Sequence, residues 1–142
     1  MTTGADLGKK VTSNGLELTL KSQQCGVSEI KGSGTRVTKA IGEFCVYEVA
    51  VRNGSDKQLR FSIVDFSMSS ASGRDYKVSS DASIAIPDNR FISENVPPQG
   101  AGTALVVVDV AVGDKPATLK FGGVLVTSGT GTKAEAVSWA LP

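Results

Sequence analysis

Residues 43–52 read Glu43-Phe44-Cys45-Val46-Tyr47-Glu48-Val49-Ala50-Val51-Arg52, and this stretch decides the fold class. Cys45, Tyr47, Val49 and Val51 fall on every second residue, with Phe44, Val46, Glu48, Ala50 and Arg52 between them. A period of two is that of a β-strand, whose side chains point to opposite faces in turn. The apolar set predicts a core face, and the mixed set predicts a second face that is partly covered. Asn53-Gly54-Ser55-Asp56 then predicts a turn, because Asn and Gly adopt positive φ at low cost.

On the N-terminal side, Leu16, Leu18 and Leu20 alternate with Glu17, Thr19 and Lys21, which predicts a half-buried strand. A run from Cys25 to Ile30 follows, with room for a bend or bulge before it. Lys31 to Ile41 holds Gly32, Ser33, Gly34 and Thr38 and reads as a loop. On the C-terminal side, Leu59, Phe61 and Ile63 share one phase and Val64, Phe66 and Met68 the other. That change predicts a bulge near Ile63. Ala71-Ser72-Gly73-Arg74 is a turn before a short strand with Tyr76 and Val78. Residues 79–103 hold Pro87, Pro97, Pro98, Gly100 and Gly102 and read as one long loop, a length uncommon in compact domains unless it carries function. Ala104 to Val112 is a valine-rich strand, with Val106, Val108, Val110 and Val112 on one face. Leu119, Phe121 and the 124–126 run follow, with a bend of the strand at Gly122-Gly123. Ser128 to Thr132 is a loop, and Val137, Trp139 and Leu141 close the chain. No segment sustains a helical period. The count is about eight strands, which predicts an all-β, immunoglobulin-like antiparallel β-sandwich, with a closed barrel as the alternative.

The 142 residues suit one domain spanning 1–142, with residues 1–8 as a flexible N-terminal remnant. Val, Leu, Ile and Phe are 37 of those residues, above the roughly one-fifth below which a highly charged chain tends to stay disordered. Lys plus Arg is 15 against 14 for Asp plus Glu, a net charge of +1. That balance argues against a nucleic-acid partner and against a basic membrane-surface helix. Cys25 and Cys45 lie too far apart for a CxxC motif, and two thiols without histidine make a poor zinc site. A disulfide is the natural reading, worth roughly 3 kcal/mol by chain entropy, and it would place the chain in an oxidising compartment. Two buried free thiols in a cytosolic protein are the alternative. No run of apolar residues is long enough to span a membrane. Met1 to Asp6 is polar and lacks the apolar core of a signal peptide. It reads as a start methionine on a mature sequence, with a leader removed ahead of it and a lipid-accepting cysteine as one form of that leader.

The chain has no histidine. A Ser-His-Asp triad is therefore impossible, and the commonest base and metal ligand are missing. No catalytic residue, cofactor or metal site is expected; Met1 and Met68 are too few for a soft-metal site. Ser128-Gly129-Thr130-Gly131-Thr132-Lys133 lacks the Gly-Lys step of a phosphate loop and reads as a hairpin loop. Asp65, Asp75, Asp81, Asp88 and Asp109 form no DxDxDG array. They are expected on solvated faces, with a loose calcium site in the 81–95 loop as the alternative. Asp109 interrupts the valine strand, as a solvent-facing or an edge-blocking charge. Tyr47 and Trp139 are expected in the core. Phe91 and Ile92 lie between Pro87 and Pro97, either as exposed anchors or as pins holding the loop. With Asp88 and Arg90 they form the candidate partner-binding loop.

Several of these residues occur in an order that resembles a known family: the Gly15-Leu16-Glu17-Leu18-Thr19-Leu20 strand, Gly42-Glu43-Phe44, and Val49-Ala50-Val51-Arg52-Asn53. Phe66, Gly73, Asp75-Tyr76, Pro98-Gln99-Gly100 and Val106-Val107-Val108-Asp109-Val110 continue it. Over about residues 7–126 the chain resembles the telokin-like immunoglobulin-fold domains of unknown function in Gram-positive (actinobacterial) secreted proteins and lipoproteins. That family is similar in fold to a mycobacterial immunoprotective extracellular antigen. Gln99 departs from its Pro-Gly step, and the Trp139 strand has no counterpart in its pattern. The resemblance implies an immunoglobulin-like sandwich outside the cytoplasm and supplies no catalytic residues.

The function expected is that of a non-catalytic, secreted or lipid-anchored cell-envelope protein that binds a protein or a surface component. Its contact with membrane would come only through a removed N-terminal lipid anchor. The alternative is a secreted enzyme inhibitor or an extracytoplasmic sensor domain.

Overall fold

The computed structural model describes residues 6–32, 34–87, 89, 92–122, 125–128, 131–134 and 136–142. Twelve strands occur among them, in antiparallel sheets. The first sheet has the order β1 (Lys10–Ser13), β2 (Leu16–Lys31), β3 (Val37–Asn53) and β8 (Ala101–Val110). The second has the order β12 (Val137–Ala140), β9 (Pro116–Phe121), β5 (Phe66–Ser70) and β6 (Asp75–Lys77). Two small ladders complete the set: β4 (Leu59–Ser62) with β7 (Ser93–Val96), and β10 (Leu125–Ser128) with β11 (Gly131–Ala134).

The alternation that begins at Glu43 becomes the centre of the sandwich. β3 pairs with β8 without a break from Glu43↔Val110 to Arg52↔Ala101. Cys45, Tyr47, Val49 and Val51 enter a core with Leu16, Leu18, Leu20, Val106, Val108 and Val110 from the same sheet. Phe66, Met68, Leu119, Phe121 and Trp139 close it from the second sheet. Phe66 stacks on Trp139 with ring centroids 6.3 Å apart and packs against Phe121 at 4.8 Å. The Trp139 indole N–H donates to the Lys9 carbonyl at 3.0 Å. The Tyr47 hydroxyl donates to Gln23 Oε1 at 2.8 Å, and burial pushes its pKa well up. Both aromatic residues are core, as their alternation predicts.

Cys25 and Cys45 form a disulfide between β2 and β3. The register passes from Gln24↔Val46 to Val27↔Phe44, so β2 carries one extra residue at the crosslink. Gly26, at φ 75°, supplies the left-handed conformation within this bulge.

The chain departs from the expected elements in four places. Residues 31–41 are largely strand: Glu29–Lys31 pairs with Val37–Lys39, leaving only 32–36 as the turn. The phase change near Ile63 is a single 3-10 turn, Ile63–Asp65, with Val64 N donating to Ser62 Oγ. It passes the chain from the β4–β7 ladder to the second sheet. The 79–103 stretch contains a helix α1 (Ser80–Ala85), strand β7 and the start of β8. β7, together with β1, the separate β4 and β5, and the β10–β11 ladder, brings the strands among the described residues to twelve. Finally, β8 ends at Val110, so Val112 lies in a turn and is 76% exposed rather than continuing the core face. At the N-terminus, residues 6–8 are tied down: Asp6 N donates to Ala140 O and Gly8 N to Leu20 O.

Candidate functional site

The outer face of the first sheet is covered at one end. Ser79 caps α1, its hydroxyl accepting from Ala82 N. Ala82 packs on Ile30, Phe44 and Val107, with Val27, Ala40, Val46, Ala85 and Ile86 around them. This second core explains why the mixed face of β3 carries Phe44 and Val46. The segment also seals the free edge of β8. Ser79 N donates to Val107 O at 2.7 Å, and Val107 N donates to Ser83 Oγ at 3.1 Å. The buried Asn89 completes the seal: its amide donates to the Leu105 and Ser83 carbonyls and its oxygen accepts from Leu105 N. An edge strand left bare would be a template for pairing with another chain.

A groove of about 680 Å³ lies between α1 and the far end of the β2–β3 hairpin. Ile84, Ala85, Ile86 and Pro87 form one wall; Arg36, Thr38, Asp81 and Asn89 contribute the polar lining. The hairpin turn approaches the helix end closely. A Cβ on Gly32 would stand 3.1 Å from Ala85 O and 3.3 Å from Arg36 Cβ. Ile84 is 57% exposed. Neither Arg36 nor Asp81 joins an ion pair among the described residues. Among the described residues the groove thus offers an apolar wall with Arg36 and Asp81 outside any ion pair, in the volume range of ligand and peptide sites.

Of the candidate loop residues, Asp88, Arg90 and Phe91 lie outside the described residues. Ile92 packs against the main core and its carbonyl accepts from Ile63 N at 2.9 Å, so it pins the segment. The carboxylates read from the sequence are dispersed. Asp75 is exposed and held below its usual range by Ser69 and then Lys120. Asp65 is pushed up by burial against the opposing charge of Arg60. Asp109 is neither a bare surface charge nor an edge block: it accepts from Ile41 N at 2.8 Å and Gly42 N at 3.0 Å. Among the described residues no three acidic or cysteine side chains gather as a metal site would require. Sequence reasoning missed Arg36 and Ile84, and it read Asp81 as a solvated carboxylate or part of a loose calcium site rather than as part of this groove. The available signal was Ser79 ahead of Asp81, Ala82, Ala85 and Ile86, a cap followed by apolar residues at helical spacing.

Fold and groove together define a small antiparallel β-sandwich with a helix-covered edge. Within that class, the chain belongs to the domain of unknown function DUF4352, whose family profile matches residues 5–133. No curated protein matches the chain. Among solved structures it is similar to the yjhA protein from Bacillus subtilis, at 12% identity and TM-score 0.60, covering 83% of this chain and 81% of that one. It is similar to MPT63, a secreted protein from Mycobacterium tuberculosis, at 17% identity and TM-score 0.58, covering 89% and 90%. An uncharacterized β-sandwich protein from Clostridium difficile aligns at 12% identity and TM-score 0.50, over 96% and 91%. At these identities the likeness establishes the sandwich and nothing of activity.

Proposed function

We propose that this chain is a non-catalytic module working outside the cytoplasm, secreted or lipid-anchored, that binds an extended segment of a protein or a cell-surface component. The groove beside α1 carries the reading. Its wall of Ile84, Ala85, Ile86 and Pro87 suits an apolar side chain, and the uncommitted Arg36 and Asp81 suit charged groups on either side of it. Three further observations support it. The Cys25–Cys45 disulfide is of a kind that persists in oxidising compartments. One solved relative in fold is a secreted protein. The sequence holds no histidine for general-base chemistry. Kinship with telokin-like immunoglobulin-fold domains and a lipid-anchored form belong to the same proposal, as does the absence of a nucleic-acid partner.

A photo-crosslinking residue in place of Ile84, with a matched control at Lys77, tests this in envelope and culture-filtrate fractions of the native host. The reading expects adducts at position 84 that are absent at 77 and lost on adding Arg36→Glu. Equal adducts at both positions, or none at 84, would overturn it.

A further inference from the structure

The chain holds two Asn-Gly steps, Asn14-Gly15 and Asn53-Gly54. In such a step the side-chain amide lies open to attack by the next backbone nitrogen, because glycine has no Cβ to hinder the approach. The fold sets the two identical steps in opposite surroundings.

Asn14 and Gly15 are the central residues of the β1–β2 hairpin, at φ 47° and 94°. Positive φ at both makes this a type I′ turn, with Asn14 half-exposed at its tip. The ladder ends at Ser13↔Leu16, so the Gly15 nitrogen forms no rung of it. Opening the tip frays the end of a four-residue strand, a local event of low cost.

Asn53 is fully buried. Its amide nitrogen donates to the Lys57 carbonyl at 2.6 Å and the Val96 carbonyl at 2.9 Å. Its side-chain oxygen accepts from Ser55 N at 2.9 Å and Ser55 Oγ at 2.7 Å. Its main-chain N–H and C=O are bonded to Gly100 O and Gln99 N, and the attacking atom of this step, Gly54 N, donates to Gly15 O. Cyclisation here would first have to release Asn53 from the 95–100 segment. Its product would then set a carboxylate, an acceptor alone, against two carbonyls.

We propose that Asn14 is a site of self-modification in the folded protein, converting to aspartate and isoaspartate, while Asn53 is closed to the same reaction. The Gly15 nitrogen loses its proton and attacks Asn14 Cγ. The N–Cγ bond forms, the Cγ–Nδ2 bond breaks, and the amide leaves as ammonia with that proton. Water then opens the five-membered imide at either carbonyl, and each product carries a new negative charge. Isoaspartate also lengthens the main chain by one methylene. The turn has no slack for it, since even a Cβ on Gly15 would stand 2.8 Å from Ser55 Cβ. Gly15 O is thereby drawn away from Gly54 N. The inference goes beyond the groove and does not depend on it.

Ageing the full chain in mildly alkaline buffer tests this. Trypsin, cutting after Lys10, Lys21, Arg52 and Lys57, separates the two steps into peptides 11–21 and 53–57. In the folded protein peptide 11–21 should gain about one dalton at least about tenfold faster than peptide 53–57. In urea after reduction the two rates should fall within about threefold, because only the fold tells the steps apart. Amide exchange at Gly54 should rise about tenfold in the aged chain and stay unchanged in aged Asn14→Gly, which keeps a type I′ turn and has no amide to lose. Equal rates in the folded protein, or a peptide 11–21 that converts in urea but not when folded, would overturn the proposal. So would Gly54 exchange that rises equally in the aged Asn14→Gly variant.

Discussion

Asp109 shows how one residue can organise an end of this molecule. β3 leaves β8 at Gly42, where a Cβ would lie 2.1 Å from Val110 O, so only glycine permits the approach. The Asp109 carboxylate then takes up the Ile41 and Gly42 N–H groups that the ladder no longer serves. Asp109→Ala should lower unfolding free energy by about 1–3 kcal/mol, the range for stranding bonded polar groups. Asp109→Asn, which keeps one acceptor oxygen, should lose less; equal midpoints for wild type and Ala would contradict this role. A second residue-scale prediction concerns acid. Asp114 is held below its usual pKa first by the Tyr76 hydroxyl and then by Ser72 and Ser70, and Asp75 by Ser69 and Lys120. Because these folded pKa values are depressed, their stabilisation is complete above the unfolded carboxylate value near 4 and is lost as pH falls through the folded values. Tyr76→Phe should therefore lower stability near pH 7 and flatten the acid limb, with variant and wild type converging as pH falls through the folded values. A wild-type acid limb in the variant would rule it out. The position of Asp109 in a valine strand was legible as an interruption, but its partners lie 67 and 68 residues away and no local pattern encodes them.

At the scale of elements, both long edges of the first sheet are managed. β8 is sealed by Ser79, Ser83 and Asn89. Beyond Leu20, β2 pairs only with β3 among the described residues, and three register shifts between Leu20 and Glu29 break the regular ladder that an incoming strand would need. Asn89→Ala should strand Leu105 N–H and C=O. We expect a loss of about 1–3 kcal/mol and faster amide exchange at Leu105 and Val107 than in the β3 centre. Protection unchanged at both amides would show that the seal is unimportant. The disulfide acts on the β2–β3 hairpin in the same way. Cys25→Ser with Cys45→Ser should cost roughly 3 kcal/mol, the chain-entropy value for a loop of this size. Long alternating strands were readable because burial repeats every two residues. α1 was not, because six residues give less than two turns of period and 79–103 is rich in the Ser, Pro and Gly that also mark loops. The 31–41 turn was overestimated because its glycines sit at the tip, while pairing along Glu29–Lys31 and Val37–Lys39 carries the flanks.

For the molecule as a whole, the sandwich follows from alternation alone, since one apolar face per strand must find a second sheet. What alternation cannot show is which surfaces are left over. The groove joins Arg36 and Thr38 of the β2–β3 hairpin to Asp81, Ile84, Pro87 and Asn89 of the 79–103 stretch singled out by composition. The central claim is that a disulfide-stapled sandwich of this family works outside the cytoplasm. The intact mass of the protein from its native host, measured without reduction in secreted, membrane and cytosolic fractions, tests that claim most directly. The account predicts a mass two hydrogens below the reduced value, in the secreted or membrane fraction, with any lipid seen as added N-terminal mass. A fully reduced protein confined to the cytosol would contradict it.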